Sequence, residues 1–280
     1  MFFSRVGVLL NPLDFLRYLP GTNCGECGHP SCLAFAVAVT KGGADPSRCP
    51  YIDPAALEGS GDQPRGQGLA TVAGSQRERD MALATHLRSK IRDLDFAALA
   101  VRIGADPAPE QPDCLHFQYL GRRVEISRDT LRMDGLEPVD PRDLILLYNY
   151  LSSRGGPAPR CTWVGLESLP NSISKVRTLA AYCEQPLARR FKGCGNRLAD
   201  VCGRLGPRPA PEDASADFGA VIPVLPHVPL CLLFWDEAPE EGFDSRVKVL
   251  VDERVLDFLD LESLVFAAER MAERLMELDA

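Results

Sequence analysis

The sequence predicts an α+β protein in which a small cysteine-rich domain of short helices and loops precedes a mixed domain with an antiparallel sheet. Helical and strand-like segments occur in clusters, without the regular alternation that predicts a parallel sheet. Four cysteines lie close together near the start of the chain, and a Gly- and Ser-rich stretch follows them. With 280 residues, 45% of them hydrophobic, the chain is long enough for one or two packed domains.

The stretch at 59–75, GSGDQPRGQGLATVAGS, separates two regions of ordered character. It shows little apolar periodicity, as a flexible linker does. We therefore predict a cluster-binding domain at 1–58, a linker at 59–75 and an α+β domain at 76–280. Since about 58 residues offer only a small hydrophobic core, a bound metal or cluster is expected to stabilise the first domain.

Proline and glycine positions predict the helices of the first domain. Pro12 suits the first turn of one helix, and Pro30 suits the first turn of a second. The second helix would carry Cys32 near its start and end at Gly42 and Gly43.

Apolar periodicity and turn residues predict the elements of the second domain. Alternation on each side of Gly121 indicates a hairpin, and Asp140 with Pro141 opens a helix. The predicted order is one or two helices at 76–104, a loop at 105–113, a hairpin at 115–127, a helix at 141–153, a strand at 161–166, a helix at 186–205, strands at 218–225, 229–235 and 246–252, and an amphipathic helix at 260–278.

The charge balance argues against a general nucleic-acid binder, which would normally be basic. The net charge is −8, and residues 236–280 alone hold 14 acidic and 5 basic side chains. This local excess suits solubility, a basic partner, or simply a solvated helix face.

No segment predicts export or membrane insertion. The start, MFFSRVGVLL, lacks a basic region and a cleavage site with small residues. The long uncharged run at 218–235 contains Pro223, Pro226 and Pro229, which would interrupt a membrane helix. We expect a cytoplasmic protein whose thiols stay reduced.

Cys24, Cys27, Cys32 and Cys49 carry the strongest chemical signal, with the spacing C-x2-C-x4-C-x16-C. Four thiolates are the usual ligand set of an iron–sulfur cluster. The sequence therefore predicts one [4Fe–4S] cluster held by these four residues. A helix that begins near Cys32 would direct its positive end toward the anionic site.

Four alternatives remain for the cysteine motif, one of which is that it binds no metal. A structural zinc site usually has two C-x2-C pairs, and the second pair is missing here. A [2Fe–2S] cluster is a second alternative, and a redox C-x-x-C motif would leave Cys32 and Cys49 without a role. Within the loop, His29 either tunes the cluster or is simply exposed at the tip.

The stretch 19–50, LPGTNCGECGHPSCLAFAVAVTKGGADPSRCP, resembles a four-cysteine 4Fe–4S domain. That domain opens the large subunit of the corrinoid iron–sulfur protein and occurs in the B subunit of the Rnf electron-transport complex. The resemblance covers roughly residues 1–58 and implies that all four cysteines ligate one cluster. The membrane anchor and further cysteine runs of the Rnf subunit are absent. The remaining length of about 220 residues cannot hold both the TIM barrel and the cobalamin domain of the corrinoid protein.

Residues 76–280 are similar to an uncharacterised domain family of anaerobic bacteria and archaea, often fused behind this cluster domain. The matching stretches are the Trp163 region through LESLP, PLARRF, VIPVLPHVPLCLLFWDEAPEEGFDSRVKVLVDERV and the closing acidic helix. This resemblance implies a fold and no chemistry.

Other cysteines are weaker candidates. Four of them could form a second metal site: Cys161, Cys183, Cys194 and Cys202. However, Cys194 and Cys202 would lie about 12 Å apart along one straight helix, which favours free thiols. Cys114 and Cys231 are expected to be small core residues in or beside strands, and His116 lies in a strand.

Two residues near the end of the uncharged run offer binding hypotheses. His227, in the loop PVLPHVP, is either an axial ligand to a corrinoid or an ordinary turn histidine. Trp235 either marks a docking surface or closes a strand end.

No P-loop, Rossmann fingerprint or nucleophile elbow is present in the sequence, so nothing supports an enzyme. We expect an electron-transfer or redox-accessory protein with a redox partner protein. The resemblance implies one version, the reductive reactivation of a cobalt centre in methyl-transfer metabolism. The alternatives are a binding module in which the cluster is a structural staple, and an enzyme with its site near His227 and Trp235. The oligomeric state is left open.

Overall fold

The computed structural model describes residues 12–16, 18–20, 25–29, 31–42, 44–52, 67–108, 111–212 and 214–280. The chain forms two compact units, residues 1–72 and 73–280, which we call the cysteine unit and the large unit. Helix α3 (Gln67–Ile91) begins inside the segment 59–75 that the sequence predicts as linker. Residues 67–75 contain no proline and several good helix formers, which allows the helix to extend there. The division into functional domains stays a prediction.

Among its described residues ahead of α3, the cysteine unit has two short helices and a 3₁₀ turn. The first helix begins at Pro12, as predicted, whereas Pro30 lies outside the described residues. Helix α1 is Pro12–Leu16, helix α2 is Cys32–Gly42, and the 3₁₀ turn is Pro46–Arg48. The Asp45 carboxylate accepts a hydrogen bond from the Ser47 amide at 2.9 Å and so caps the turn that leads to Cys49.

The large unit contains two antiparallel sheets. The four-stranded sheet has the order β1-β2-β3-β4, with strands Asp106–Ala108, Gln111–Tyr119, Arg122–Ser127 and Leu131–Met133. The five-stranded sheet has the order β5-β9-β8-β7-β6, with β5 to β9 at Trp163–Gly165, Arg208–Pro209, Phe218–Leu225, Val228–Trp235 and Arg246–Asp252. Every strand pair is antiparallel, which confirms the predicted α+β class.

Helices pack against these sheets. After α3, they are α4 Phe96–Ile103, α5 Pro141–Ser152, α6 Ile173–Leu179, α7 Gln185–Arg190, α8 Gly195–Gly203 and α9 Leu261–Leu278. A π-helical turn, Ala180–Glu184, joins α6 to α7. One continuous hydrophobic core contains side chains from both sheets and from helices of the large unit. The central strand β8 is buried at seven of its eight positions, so both of its faces are covered.

Two predicted elements of the large unit are wrong. The predicted loop at 105–113 contains strand β1 and the start of β2, because the two segments pair with each other despite their prolines. The predicted single helix at 186–205 is broken at Gly193, which has φ +68°. The Asp236 carboxylate accepts hydrogen bonds from the Gly193 amide at 2.7 Å and from the Gly195 amide at 3.3 Å, which stabilises the break.

The uncharged run at 218–235 forms the hairpin β7–β8, as its prolines predict. Among the described residues, no helix has both the length and the apolar character needed to cross a bilayer.

Candidate metal centre

A tight turn at Gly25–Gly28 shapes the start of the cysteine loop. Gly25 and Gly28 have φ of +78° and +81°, a region that favours glycine. The Gly28 amide donates a hydrogen bond to the Gly25 carbonyl at 2.8 Å. The turn places Cys27 directly before the segment that enters α2.

Three of the four predicted ligands lie in one small core. Cys27, Cys32 and Cys49 are 9%, 8% and 6% exposed, and they belong to the same buried cluster. They come from three backbone segments: the glycine turn, the first residue of α2 and the residue after the 3₁₀ turn. Cys24, the fourth predicted ligand, lies outside the described residues.

Helix α2 begins at this core with a side-chain cap. The Ser31 hydroxyl accepts a hydrogen bond from the Ala34 amide at 3.1 Å, and the Ser31 carbonyl accepts one from the Phe35 amide at 3.0 Å. Cys32 therefore lies at the positive end of an eleven-residue helix. A helix N-terminus favours nearby negative charge, which suits thiolate ligands.

Aromatic side chains shield the cysteines. The rings of Phe15 and Phe35 meet edge-on, with centroids 6.4 Å apart, and both are buried. The ring of His29 is half-buried against Phe35 at 5.4 Å, so it is partly enclosed rather than fully exposed at a loop tip. On the outside, the Tyr51 hydroxyl donates to the Glu26 carboxylate at 3.0 Å and links the loop to the segment after Cys49.

One cation lies beside the glycine turn. A Cβ atom at Gly28 would be 3.1 Å from the Arg48 Nη2, so the guanidinium packs directly on this backbone. The donor set fits an iron–sulfur cluster, because the sulfur-bearing side chains of Cys27, Cys32 and Cys49 are gathered in one buried core. A positive group at this position would also offset part of the charge of an anionic cluster.

His227 is held as a turn residue. Its Nδ1 lies 3.1 Å from the Arg102 carbonyl, and its ring meets Phe258 edge-on at 5.3 Å. A Cβ atom at Gly104 would lie 2.6 Å from the His227 Nε2, so this nitrogen is packed against backbone. The contacts favour the turn interpretation over an axial ligand.

Trp235 is likewise accounted for by local packing. Its ring nitrogen donates a hydrogen bond to the Ser215 carbonyl, and the Arg246 guanidinium lies 4.3 Å from the ring centroid. A groove of about 490 Å³ lies elsewhere in the large unit, between α3 and the β3–β4 turn. Its lining includes Arg88, Leu131 and Tyr148, and it includes neither His227 nor Trp235.

The four cysteines considered for a second metal site, Cys161, Cys183, Cys194 and Cys202, do not converge. Cys183 and Cys202 are buried, Cys194 is half-buried at the start of α8, and Cys161 is exposed. Burial raises the pKa of the Cys202 thiol to about 12, so it remains a thiol at neutral pH. Within the part of the chain that the structure describes, these sulfurs form no group of three ligand atoms within 4.8 Å.

The fold and the cysteine core define a two-part protein, with a cysteine unit of iron–sulfur type ahead of an antiparallel α+β unit. The family described as "Putative Fe-S cluster" matches residues 19–51. The family described as "Domain of unknown function (DUF3786)" matches residues 95–274, and the chain belongs to this family. These matches confirm the resemblances drawn from the sequence and identify an iron–sulfur protein.

Several relatives match the chain over part of its length. It is 30% identical to the corrinoid/iron-sulfur protein large subunit of Moorella thermoacetica over 139 residues, which cover 46% of this chain and 31% of that protein. It is 50% identical to the acetyl-CoA decarbonylase/synthase complex subunit gamma 1 of Methanosarcina thermophila over 42 residues, 15% of this chain and 9% of that protein. The chain thus spans less than a third of these relatives. No solved structure matches it.

Proposed function

We propose that the chain transfers single electrons through one [4Fe–4S] cluster held by Cys24, Cys27, Cys32 and Cys49. The observation that carries this proposal is the burial of three of these thiols, from three backbone segments, in one small core. The family match over residues 19–51 supports iron–sulfur chemistry. The bound cluster would supply a reversible one-electron site.

The residues of the cysteine unit would tune and protect that site. Phe15 and Phe35 limit access of water, which raises the energetic effect of every nearby charge. The N-terminus of α2 and the Arg48 guanidinium both favour an additional negative charge. These features would make reduction of the cluster easier.

The partner is proposed to be a redox protein of corrinoid-linked metabolism. Relatives of the cysteine segment are named as a corrinoid/iron-sulfur protein subunit and as subunits of an acetyl-CoA decarbonylase/synthase complex. Reductive reactivation of a partner's cobalt centre is the version that these names suggest. We place this activity in the cytoplasm.

The first test is the iron and sulfide content of the full chain purified without oxygen, with visible and EPR spectra before and after dithionite. About four iron and four sulfide per chain, with an EPR signal on reduction, would support the proposal. Zinc without sulfide would contradict it. Cys27→Ser should lose the cluster, whereas the exposed control Cys161→Ser should keep it.

A structural role for the cluster is the second candidate. It is favoured by the composition of the cysteine core, in which three of the eight buried residues that the structure describes are cysteines. A cluster bound by these thiols would link the segments that form this core. A cluster that dithionite does not reduce, but whose removal unfolds the cysteine unit, would favour this role over electron transfer.

A further inference from the structure

We infer that the four-stranded sheet carries a second metal site, made by Cys114, His116 and Glu125 and suited to a zinc ion. These residues lie outside the segment 19–51 that matches the iron–sulfur family, so the inference does not depend on the proposed function. Each offers one ligand atom, and the three atoms lie within 4.8 Å of one another.

The strand register brings the three side chains together. Cys114 and His116 are two residues apart on β2, so they project from the same face of the sheet. Glu125 is the direct partner of His116 on β3. The buried residues Leu115 and Phe117 alternate with them and face the core. The metal-ligating set therefore occupies the face of the sheet opposite that core.

The distances fit a tetrahedral ion. The Cys114 Sγ lies 3.7 Å from the His116 Nε2, and the Glu125 Oε2 lies 3.9 Å from the same nitrogen. Zinc bonds of about 2.3 Å to sulfur and about 2.0 Å to nitrogen hold those two atoms about 3.5 Å apart in a tetrahedron. The sulfur–nitrogen separation is therefore within a few tenths of an ångström of the tetrahedral value, and Glu125 would have to move closer to complete the site.

The geometry favours a chelate over a catalytic relay. In a cysteine–histidine–carboxylate relay, the thiol and the carboxylate face different ring nitrogens of the histidine. Here both Cys114 and Glu125 face the Nε2 of His116. Such convergence on one point is the arrangement that an ion requires.

The ligands are also available. Among the described residues, no lysine or arginine lies within 4.0 Å of the Glu125 carboxylate, although nearby acids have such partners. Cys114 is a free thiol that is 4% exposed, whereas the side chains of His116 and Glu125 are 27% and 44% exposed. The site is thus enclosed on the sulfur side and open to solvent on the carboxylate side.

Ligand chemistry selects the ion. A thiolate, an imidazole and a carboxylate suit zinc, whereas magnesium and calcium prefer oxygen ligands alone. Three protein ligands leave a fourth position for water or a small ligand, as in zinc sites that keep an open position. The solvent-facing side near Glu125 would provide that position.

The test is a zinc titration of the cluster-loaded full chain against a chromophoric chelator, so that the N-terminal thiols are already occupied. We expect wild type to bind one more zinc equivalent than His116→Ala, and Glu125→Gln to bind that zinc at least tenfold more weakly. His86→Ala, which removes an exposed histidine on α3, should match wild type. Both site substitutions remove partly exposed side chains, and unchanged circular dichroism would show that they fold.

Equal stoichiometry and affinity in wild type and His116→Ala would overturn the inference, as would an equal loss in His86→Ala. Cobalt(II) provides an independent readout, since a thiolate ligand gives it an intense near-ultraviolet charge-transfer band. Wild type should gain this band on addition of one cobalt equivalent, and His116→Ala should gain less than a tenth of it. A band of equal intensity in both proteins would also contradict the site.

Discussion

Arg48 is the residue through which the cysteine unit can set the charge of its metal centre. Its guanidinium packs on the backbone of Gly28, next to Cys27, and no carboxylate in the described part of the chain pairs with it within 4.0 Å. A cation near an iron–sulfur cluster stabilises the reduced state, which carries one more negative charge. Because no carboxylate among the described residues neutralises it, the positive charge of Arg48 can stabilise the reduced state of a cluster bound at these cysteines.

We expect Arg48→Gln to lower the midpoint potential of the cluster by an amount on the order of tens of millivolts, because one nearby positive charge is lost. Arg48→Lys keeps the charge and should stay closer to wild type. The measurement is an EPR-monitored redox titration of both variants. An equal shift in the two variants would mean that packing, rather than charge, sets the effect.

Tyr150 joins three elements of the large unit through one hydroxyl group. The hydroxyl donates a hydrogen bond to the Ile103 carbonyl at 2.5 Å and accepts one from the His227 amide at 3.1 Å. Burial raises the pKa of Tyr150, so the hydroxyl keeps its proton at all ordinary pH values. It thereby ties the end of α4 and the β7–β8 turn to α5.

Tyr150→Phe should lower the free energy of unfolding of the large unit by about 1–3 kcal/mol, because it leaves the buried Ile103 carbonyl and the half-buried His227 amide without this partner. Tyr148→Phe on the same helix is the matched control, since its hydroxyl takes part in neither bond. Urea unfolding of the three proteins would check this. Equal losses in both variants would show that the hydrogen bonds at Tyr150 contribute little.

At the scale of elements, both ion pairs and the packing of its apolar face hold helix α9 against the rest of the large unit. Its acidic residues pair with basic residues of other elements rather than standing free in solvent. The pairs are Arg122–Glu277, Arg142–Glu269, Arg142–Glu273 and Lys175–Glu262. The acidic excess that the sequence shows near its end is thus partly neutralised inside the large unit.

A further and more buried ion pair joins Arg270 of α9 to Asp143, at the start of α5. The Asp143 carboxylate accepts hydrogen bonds from Arg270 Nε at 2.9 Å and from the Tyr119 hydroxyl at 2.8 Å. Burial, together with the Asp143 charge, raises the pKa of Tyr119 well above its usual value. A strand and two helices therefore meet at one desolvated ion pair.

We expect Arg270→Met to destabilise the large unit by about 3–5 kcal/mol, because Asp143 would remain buried and charged without its cation. Arg274→Met, one turn further along α9, removes a more exposed pair with Glu277 and should cost about 1 kcal/mol or less. Thermal unfolding of both variants would show the difference.

A double variant separates the ion pair from the packing around it. Asp143→Asn combined with Arg270→Met removes both charges, and it should be more stable than Arg270→Met alone. If the double variant were the less stable of the two, the penalty would come from lost packing of Arg270 rather than from an unpaired carboxylate.

At the scale of the whole molecule, each unit has its own hydrophobic core. The buried cluster of the cysteine unit contains residues between Phe15 and Ile52, whereas the main core of the large unit begins at Ala84. Both tryptophans of the chain, Trp163 and Trp235, lie in the five-stranded sheet. Tryptophan fluorescence therefore reports the large unit alone.

Removal of the cluster should unfold the cysteine unit and leave the tryptophan-detected unfolding midpoint of the large unit within about 2 °C of its original value, since its core loses no residue. Fluorescence and circular dichroism melts of the full chain, before and after treatment with oxidant and chelator, would test this. A large drop in the fluorescence midpoint would show that the two units unfold together.

Local signals account for what the sequence predicted well. Asp140 and Pro141 begin α5, Gly121 turns the β2–β3 hairpin, and the amphipathic pattern of the last helix matches Leu261–Leu278. Each of these signals acts between residues that are close in the chain. The spacing of Cys24, Cys27, Cys32 and Cys49 predicted a shared ligand set; the structure brings Cys27, Cys32 and Cys49 into one core, and the assignment of all four as cluster ligands stays a prediction.

The features that sequence reasoning missed depend on contacts between distant residues. The break at Gly193 is stabilised by Asp236, 43 residues further along the chain. The contact of Cys114 and His116 with Glu125 requires the register of β2 against β3 and the rotamers of all three side chains. A period of two along β2 could have placed Cys114 beside His116, but it could not have shown which residue faces them.

The strand order of the five-stranded sheet has a consequence for synthesis on the ribosome. Strand β5 lies at the sheet edge and pairs only with β9, which follows it by roughly 80 residues, or about 4–16 seconds of translation at common elongation rates. Strand β8, apolar along its whole length, is synthesised before β9. Until β9 is available, the backbone groups on the β9 side of β8 have no strand to pair with. The nascent chain must therefore keep an apolar strand edge from other chains until residue 252 has left the exit tunnel.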